Sequence, residues 1–257
     1  MLVPRLIPCL LLRDGGLVKT IKFSNPKYVG DPLNAVKIFN EKVVDELIVI
    51  DIDASVQQNE PDYNLISQIA SECEMPLCYG GGVSTVEQIE HIISLGVEKV
   101  ALSSAALSRP RLIHEASLRV GSQSIVLVLD IKRNRLRKSK FSVHINNGSQ
   151  RISVDPLEFS LLAQNQGIGE IIINSIDRDG TLSGYDLDLI DHFYDKISVP
   201  LTVMGGASSY EDFKQLFSKY SIIGCAAGSF FVFKGKYRAV LIQYPDILTR
   251  LSMFKHS

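Results

Sequence analysis

Acidic side chains follow short apolar runs in this chain, an arrangement that places a carboxylate at the edge of a buried core. Asp130 is the clearest case, since it ends the apolar run 125–129. A carboxyl group in such a low-dielectric position has a raised pKa and is suited to general acid or base catalysis. The structural alternative is an ion pair between Asp130 and Lys132 or Lys19. Other carboxylates in comparable positions are Asp51, Asp53, Asp177 and Asp179.

Loops of glycine and serine form the second group of candidate residues. Backbone N–H groups of glycine loops approach anions closely, and a following helix adds its dipole. The loops fall into two sets: Gly81-Gly82 with Ser103-Ser104, and Gly205-Gly206 with Gly228-Ser229. They predict two phosphate sites at opposite ends of a long substrate, with plain turn formation as the alternative. Lys19 lies in a long intervening segment and is expected either to clamp a phosphate or to lie at the surface.

The histidines and cysteines predict neither metal nor cofactor chemistry. The histidines are scattered and match no metal-binding spacing, so we expect no metal ion and no cofactor. The cysteines form no C-x-x-C pair and are predicted to be buried, reduced thiols. The residues concerned are His91, His114, His144, His192 and His256, and Cys9, Cys73, Cys78 and Cys225.

Eight apolar runs alternate with segments of helical spacing. Runs without polar alternation are typical of strands buried on both faces, as in parallel sheets. Eight such units in 257 residues predict an α/β fold, a (β/α)₈ TIM barrel, with a doubly wound sheet as the alternative. The predicted strands are 6–12, 47–52, 76–79, 99–102, 124–131, 170–174, 200–204 and 222–226. The predicted helices are 34–43, 64–71, 86–95, 110–120, 156–166, 187–197 and 210–220.

The chain also repeats itself. Residues 76–87 match residues 200–211 at an offset of 124 positions, and 48–53 match 172–177 at the same offset. Two copies of four β/α units favour a closed barrel over an open sheet. No linker divides the halves, so we expect a single barrel domain over residues 1–257. The segment 12–32 is predicted to be a long loop, of the kind that covers a site.

Charge and targeting signals exclude several classes of protein. The net charge of −1 excludes a broad basic surface for nucleic acid. The amino-terminal apolar stretch contains Arg5 and Pro8 and no small-residue cleavage site, unlike a signal peptide. The apolar stretch 222–233 is too short to cross a bilayer. We therefore expect a cytoplasmic protein that binds neither nucleic acid nor membrane.

Several motifs give the chain a family resemblance over nearly its whole length. The most specific are Ser175-Ile-Asp-Arg-Asp-Gly-Thr181 and Gly184-Tyr185-Asp186. With Ile7-Pro8-Cys9-Leu10 and Tyr79-Gly80-Gly81-Gly82, they resemble the cyclase (synthase) subunit of imidazole glycerol phosphate synthase. That resemblance implies a (β/α)₈ barrel with a glutaminase subunit docked on its bottom face. Ammonia would pass through the barrel to a phosphoribulosyl intermediate at the top, giving imidazole glycerol phosphate and an aminoimidazole ribotide.

The resemblance also assigns roles to individual residues. It makes Asp130 a catalytic aspartate and Lys19 the lysine of the lid loop. Gly82 and Ser104 match one phosphate site. The other phosphate site is matched by Asp179, Gly180, Gly206 and Ser229, and the charged gate for ammonia by Arg5, Glu46, Lys99 and Glu170.

The upper site departs from the family pattern. Leu11 stands where the family has the aspartate that completes the acid–base pair, and leucine cannot transfer a proton. Ser103 replaces an asparagine, Met204 a serine and Asp53 a threonine. This combination resembles a paralogous branch found in surface-polysaccharide gene sets. The resemblance implies that its members pass ammonia to a separate amidotransferase that makes an acetamidino sugar.

Three functions are consistent with these observations. The first is an ammonia-conducting subunit of a glutamine amidotransferase with weakened or lost cyclase chemistry. The second is a working cyclase (a lyase) of histidine biosynthesis that tolerates Leu11. The third is a non-enzymatic scaffold that binds phosphate. The four gate residues favour the first two, and Leu11 distinguishes the first from the second.

Overall fold

The computed structural model describes residues 4–134 and 139–254 and shows a closed barrel of eight parallel strands. Each strand pairs with the next along the chain, and β8 pairs with β1 to close the barrel. The TIM barrel expected from the sequence is confirmed. The strands are β1 (Arg5–Arg13), β2 (Leu47–Asp51), β3 (Leu77–Gly80), β4 (Lys99–Leu102), β5 (Ile125–Arg133), β6 (Glu170–Ser175), β7 (Leu201–Met204) and β8 (Gly224–Ala227).

Amphipathic helices surround the barrel and bury one face each against the strands. Helix Val86–Ser94 begins with a capping box. The Thr85 side chain accepts from the backbone N–H of Gln88, and the Gln88 side chain accepts from the backbone N–H of Thr85. The other helices are Pro32–Glu41, Ala54–Gln57, Tyr63–Glu72, Ser104–Ser108, Arg111–Val120, Pro156–Asn165, Leu187–Phe193, Tyr210–Lys219, Ser229–Val232 and Ile247–Phe254, with a 3₁₀ turn at Ser122–Ser124.

The half-barrel repeat is visible in the elements themselves. The offset between the pair β3 and β7 is the same as that between helices Val86–Ser94 and Tyr210–Lys219. The two halves also open alike, because β1 and β5 each have nine residues and each continues into an antiparallel hairpin. The duplication read from the sequence therefore corresponds to two four-stranded halves.

The segment 12–32 is a β-hairpin, so the prediction of a long loop was wrong. Its strands Gly16–Ile21 and Ser24–Gly30 pair with each other, and the first also pairs with the end of β1. The Asp14-Gly15 turn has positive φ at both residues, the geometry of a tight hairpin turn. We call Gly16–Gly30 the first hairpin. Phe141–Ile145 and Gln150–Ile152 form the corresponding hairpin after β5.

The cysteines are free, as expected, but only three of them are buried. Cys9, Cys78 and Cys225 lie inside strands and are fully enclosed, whereas Cys73 follows a helix and is half-buried. The prediction of four buried thiols was wrong at Cys73 because that residue caps a helix end at the surface.

Substitution of two glycines, Gly81 and Gly15, tests how closely the loop after β3 packs against β2. A Cβ at Gly81, where φ is +113°, would collide with the backbone carbonyl oxygen of Asp51, whereas a Cβ at Gly15, where φ is +73°, would meet nothing within 4 Å. We expect Gly15→Ala to lower the free energy of unfolding by about 1–2 kcal/mol through backbone strain alone. Gly81→Ala adds overpacking and should cost about 2–5 kcal/mol. Denaturant unfolding measures both, and equal losses would show that the close approach to β2 does not matter.

Candidate functional site

A pocket opens at the carboxyl ends of the strands, where TIM barrels carry their sites. It is lined by Asp130 and Lys19 and by the glycine loops that follow β7 and β8. Most predicted binding residues therefore meet in one place. The residues expected from the sequence that line this pocket are Lys19, Ser104, Asp130, Asp179, Gly180, Gly206, Gly228 and Ser229.

Asp130 is held by an amide rather than by a cation. The Nδ2 group of Asn174 donates a 2.9 Å hydrogen bond to its Oδ1, and strand register places the two residues side by side. Burial raises the pKa of Asp130 to about 7, although the hydrogen bond from Asn174 acts in the opposite direction. The alternative of an ion pair is not realised, because Lys132 donates to Gly148 and Lys19 to Cys9. Asp130 can therefore donate or accept a proton near neutral pH.

Lys19 lies in the first strand of the first hairpin and its side chain is buried, so the surface alternative was wrong. It is 4% exposed, and its Nζ donates to the carbonyl oxygen of Cys9. Burial lowers the pKa of Lys19. Within residues 4–134 and 139–254 it has no carboxylate within ion-pair distance, although a buried cation ordinarily has one. Its position beside Gly228, at the edge of the pocket, suits it to an anionic ligand.

Asp179 and Gly180 hold the first hairpin over the pocket. The Asp179 carboxylate accepts from the hydroxyl of Thr20 at 2.8 Å and from the backbone N–H of Phe23 at 3.3 Å. A side chain at Gly180 would strike the carbonyl oxygen of Thr20. Burial raises the pKa of Asp179 despite these hydrogen bonds. The two residues thus line the pocket and also contact the first hairpin, which lies over it.

The opposite end of the pocket is smaller and neutral. Gly82 lies outside the main pocket, in an adjoining cavity that shares Ser55, Ser103 and Ser104 with it. The backbone N–H of Gly82 reaches the Ser55 hydroxyl at 3.4 Å, and the Ser103 hydroxyl is buried without a hydrogen-bond partner. These polar groups can meet a ligand, but no lysine or arginine is among the described residues that line the cavity.

Apolar side chains occupy the pocket wall around Asp130. Leu11 and Met204 both line it, and Leu11 lies beside Ile50 in the strand register. They pack on a cluster inside the barrel, consisting of Ile7, Cys9, Ile48, Cys78, Ala101, Val126, Val128, Ile172 and Ala226. The upper pocket thus rests on an apolar interior.

A closed ring of four charged side chains lies at the other end of that interior. Lys99 donates to Glu46 and to Glu170 at 2.8 Å each, and Arg5 pairs with the same two carboxylates, at 2.8 Å to Glu170. Burial alone would raise the pKa of Glu170, but Arg5 and Lys99 hold it below its usual value. The pairs alternate in sign and neutralise one another. All four residues begin strands or directly precede one.

Two residues that the sequence analysis missed support this ring. The Thr202 hydroxyl, fully buried, donates to Glu170 at 2.6 Å. Gly224 pairs with both Arg5 and Thr202 in the register, and a side chain there would strike the Thr202 hydroxyl. The only sign of these two residues in the sequence was a threonine and a glycine inside two predicted apolar strands, 200–204 and 222–226.

The pocket also contains contributions from the hairpins, which sequence reasoning did not assign. Phe23 comes from the first hairpin, and Asn146 and Asn147 come from the turn of the hairpin after β5. Both asparagines have positive φ, so the Asn-Asn-Gly turn was readable as a hairpin signal. Their approach to the pocket depends on tertiary packing, since the ring of Phe23 lies against Gly148.

Among residues 4–134 and 139–254, no three His, Cys, Asp or Glu side chains are grouped so that they could hold a metal ion. The helices in those ranges are all too short or too polar to span a membrane.

Comparison with known proteins identifies the family. A family model described as a histidine biosynthesis protein matches residues 5–238. The chain belongs to this family. Its relatives include a protein of Vibrio vulnificus provisionally named imidazole glycerol phosphate synthase subunit hisF3, which is 58% identical over 96% of this chain and 94% of its own length. A Pseudomonas aeruginosa protein, provisionally named subunit hisF2, is 51% identical over 95% and 96% of the two chains.

A third relative separates this branch from the synthase subunit itself. The imidazole glycerol phosphate synthase subunit HisF of Lactococcus lactis is 36% identical over 85% of this chain and 84% of its own length. The higher identity to the proteins named hisF2 and hisF3 confirms the resemblance to a paralogous branch. It also confirms that the chain is of the cyclase-subunit type.

The ionisation of Asp130 can be measured directly. We expect its carboxyl carbon to titrate by NMR with a midpoint near pH 7, because burial favours the neutral acid. An unfolded aspartate ionises near pH 4. As pH rises from about 4 to 7, the free energy of unfolding of the wild type relative to Asp130→Asn should therefore fall, and above pH 7 it should stay constant. Asn174→Leu removes the donor and should raise the midpoint further. A midpoint near pH 4 would contradict the buried environment.

Proposed function

We propose that this protein is the synthase-type subunit of a glutamine-dependent amidotransferase and conducts ammonia through its barrel. The observation that carries the proposal is the closed ring of Arg5, Glu46, Lys99 and Glu170 beneath an apolar interior that leads to the upper pocket. Neutral ammonia can cross an apolar interior, whereas ammonium and other ions pay a large desolvation cost there.

The ring must open for ammonia to enter, and this requirement supports a partner on the bottom face. Each carboxylate contacts two cations, so opening one side of the ring breaks an ion pair between partly buried groups. Contacts with a docked glutaminase subunit would offset that cost and would couple ammonia release to opening. We propose a heterodimer with such a glutaminase.

The upper pocket supports a phosphorylated small-molecule ligand. Lys19, which has no carboxylate partner among the described residues, lies at the glycine loops of the Gly206 and Ser229 end, and serines line the Gly82 and Ser104 end. We propose that the phosphates of such a ligand bind at these two ends.

The same pocket supports weak cyclase chemistry. Asp130 is suited to proton transfer, but Leu11 and Met204 line the same pocket, so the carboxylate that the family resemblance expects at position 11 is replaced by leucine. Acid and base groups typically contribute about 10²- to 10⁴-fold each. The chain would therefore pass ammonia onward instead of consuming it efficiently. The second candidate is a working cyclase of histidine biosynthesis, and the presence of Asp130 favours it. The third candidate is a phosphate-binding scaffold, which would leave the charged ring without a role.

The branch resemblance supports a final acceptor in surface-polysaccharide synthesis, including that of lipopolysaccharide. Ammonia would pass to a separate amidotransferase that forms an acetamidino sugar. We also propose a cytoplasmic location, because free cysteines are typical of reducing compartments.

Cyclase activity tests the role of Leu11. With ammonium salts and the phosphoribulosyl substrate, we expect the wild type to turn over at least about 10²-fold more slowly than an ordinary cyclase assayed beside it. Leu11→Asp should recover part of the rate, since it restores a carboxylate at the pocket wall. Leu11→Asn is the matched control, being polar but unable to take up a proton at neutral pH. Wild-type rates close to those of the ordinary cyclase would contradict the proposed loss of cyclase activity and favour a function in histidine biosynthesis.

A genetic experiment tests the conduit and its product together. In the natural host without this gene, we expect mass spectrometry to show surface polysaccharide without its acetamidino group. Wild-type protein should restore the group. Lys99→Met, which leaves two carboxylates with one cation, should restore it only when excess ammonium is supplied.

Lys214→Met is the matched control, because Lys214 forms an exposed pair with Glu211. It should behave as the wild type does. Unchanged polysaccharide in the deletion strain would contradict the proposal, and histidine auxotrophy in its place would favour the second candidate.

A further inference from the structure

Arg238 does not itself line the upper pocket, but it contacts two residues that do, and neither the motifs nor the predicted phosphate loops include it. It belongs to a third hairpin, formed by Phe233–Lys234 and Ala239–Val240. Its Nη2 lies 3.3 Å from the hydroxyl of Ser229, and its Nη1 lies 3.4 Å from the carbonyl oxygen of Gly180. Both contacts are with residues that line the pocket.

The guanidinium is held in place by its own hairpin. It lies over the ring of Phe233 at 4.6 Å, and Lys27 lies over the same ring at 5.2 Å. Lys27 also donates to the backbone carbonyl of Arg238 at 3.3 Å, which ties the third hairpin to the first. A stacked guanidinium loses less conformational freedom when it binds a ligand than a free side chain does.

The charges at this end of the pocket are not balanced by the protein. Over residues 4–134 and 139–254, neither Arg238 nor the buried Lys19 has a carboxylate within ion-pair distance. The acidic group that influences both is Asp179, and its Oδ2 already accepts hydrogen bonds from Thr20 and Phe23. Two cations thus face one carboxylate that is already engaged. Cations in partly buried positions ordinarily have a counter-charge, so an anionic ligand is the missing partner.

The other end of the pocket has no such excess. The described residues that line the Gly82 and Ser104 cavity include no lysine or arginine. An anion bound there would meet only hydroxyl and backbone N–H groups. The two ends of the pocket are therefore electrostatically unequal, although the internal repeat makes their loops similar.

We infer that Arg238 is a phosphate-binding residue and makes the Gly206 and Ser229 end the high-affinity end of the pocket. The inference rests on the proposed phosphorylated ligand and specifies it: a phosphate monoester dianion at one terminus, bound there before the rest of the molecule is engaged. Arginine suits this role because its planar fork presents paired donors to two phosphate oxygens. The remaining donors of Arg238 supply such a pair.

Binding of ribose 5-phosphate and of inorganic phosphate, followed by titration calorimetry, tests the inference. We expect Arg238→Gln to weaken both probes by about 10- to 100-fold, as for one charge-assisted interaction. Arg238→Lys should retain part of the affinity, and Ser229→Ala should also weaken binding. Lys236→Gln is the matched control, since Lys236 is an exposed cation of the same hairpin and should bind within about twofold of the wild type.

The outcomes separate this inference from the proposed function. If the wild type binds both probes and Arg238→Gln, with an unchanged unfolding transition, binds them equally well, Arg238 is not a phosphate ligand and the inference is overturned alone. If the wild type binds neither probe, the proposed phosphorylated ligand is overturned with it. Neither result bears on the ammonia conduit, which the Lys99→Met experiment tests separately.

Discussion

Parallel closure of the barrel, with each strand hydrogen-bonded in register to the next, is the constraint on which both ends of the molecule depend. Because the strands run in one direction, residues at their starts share one layer and residues at their ends share another. Arg5, Glu46, Lys99 and Glu170 are far apart along the chain yet form one ring. The same register sets Asn174 beside Asp130 at the opposite end. A slip of one residue in a strand that carries one of these side chains would turn that side chain away.

The two layers solve the problem of buried charge in different ways. The lower ring is balanced internally, since two cations and two carboxylates alternate and each satisfies two partners. In the upper pocket burial raises the pKa of Asp130 to about 7, and Lys19 has no carboxylate partner among the described residues. In the function we propose, the balanced ring is a barrier that opens when a partner docks. Imbalance suits a pocket whose ligand supplies the missing charge.

The two ends of the barrel differ in the chemistry of their side chains. Leu11 and Met204 make the pocket wall apolar, whereas the ring gains a buried hydrogen bond from Thr202. A lining of small and apolar side chains joins the two layers. The function we propose, passage of a small neutral species from end to end, rests on this contrast between the two layers.

The sequence by itself determined the barrel, its repeat and most of the site. Apolar runs buried on both faces and helical spacing between them are local signals, and glycine loops at strand ends are local too. Tertiary structure alone decided the partners: that Asp130 meets Asn174 instead of a lysine, that segment 12–32 folds as a hairpin with Lys19 buried in it, and that Arg238 reaches Ser229 and Gly180. These contacts join residues distant in the chain, and their geometry depends on strand register and hairpin packing. Local sequence patterns predict the barrel strands and most of the helices, but they do not encode the hairpins' packing or which side chains meet across elements.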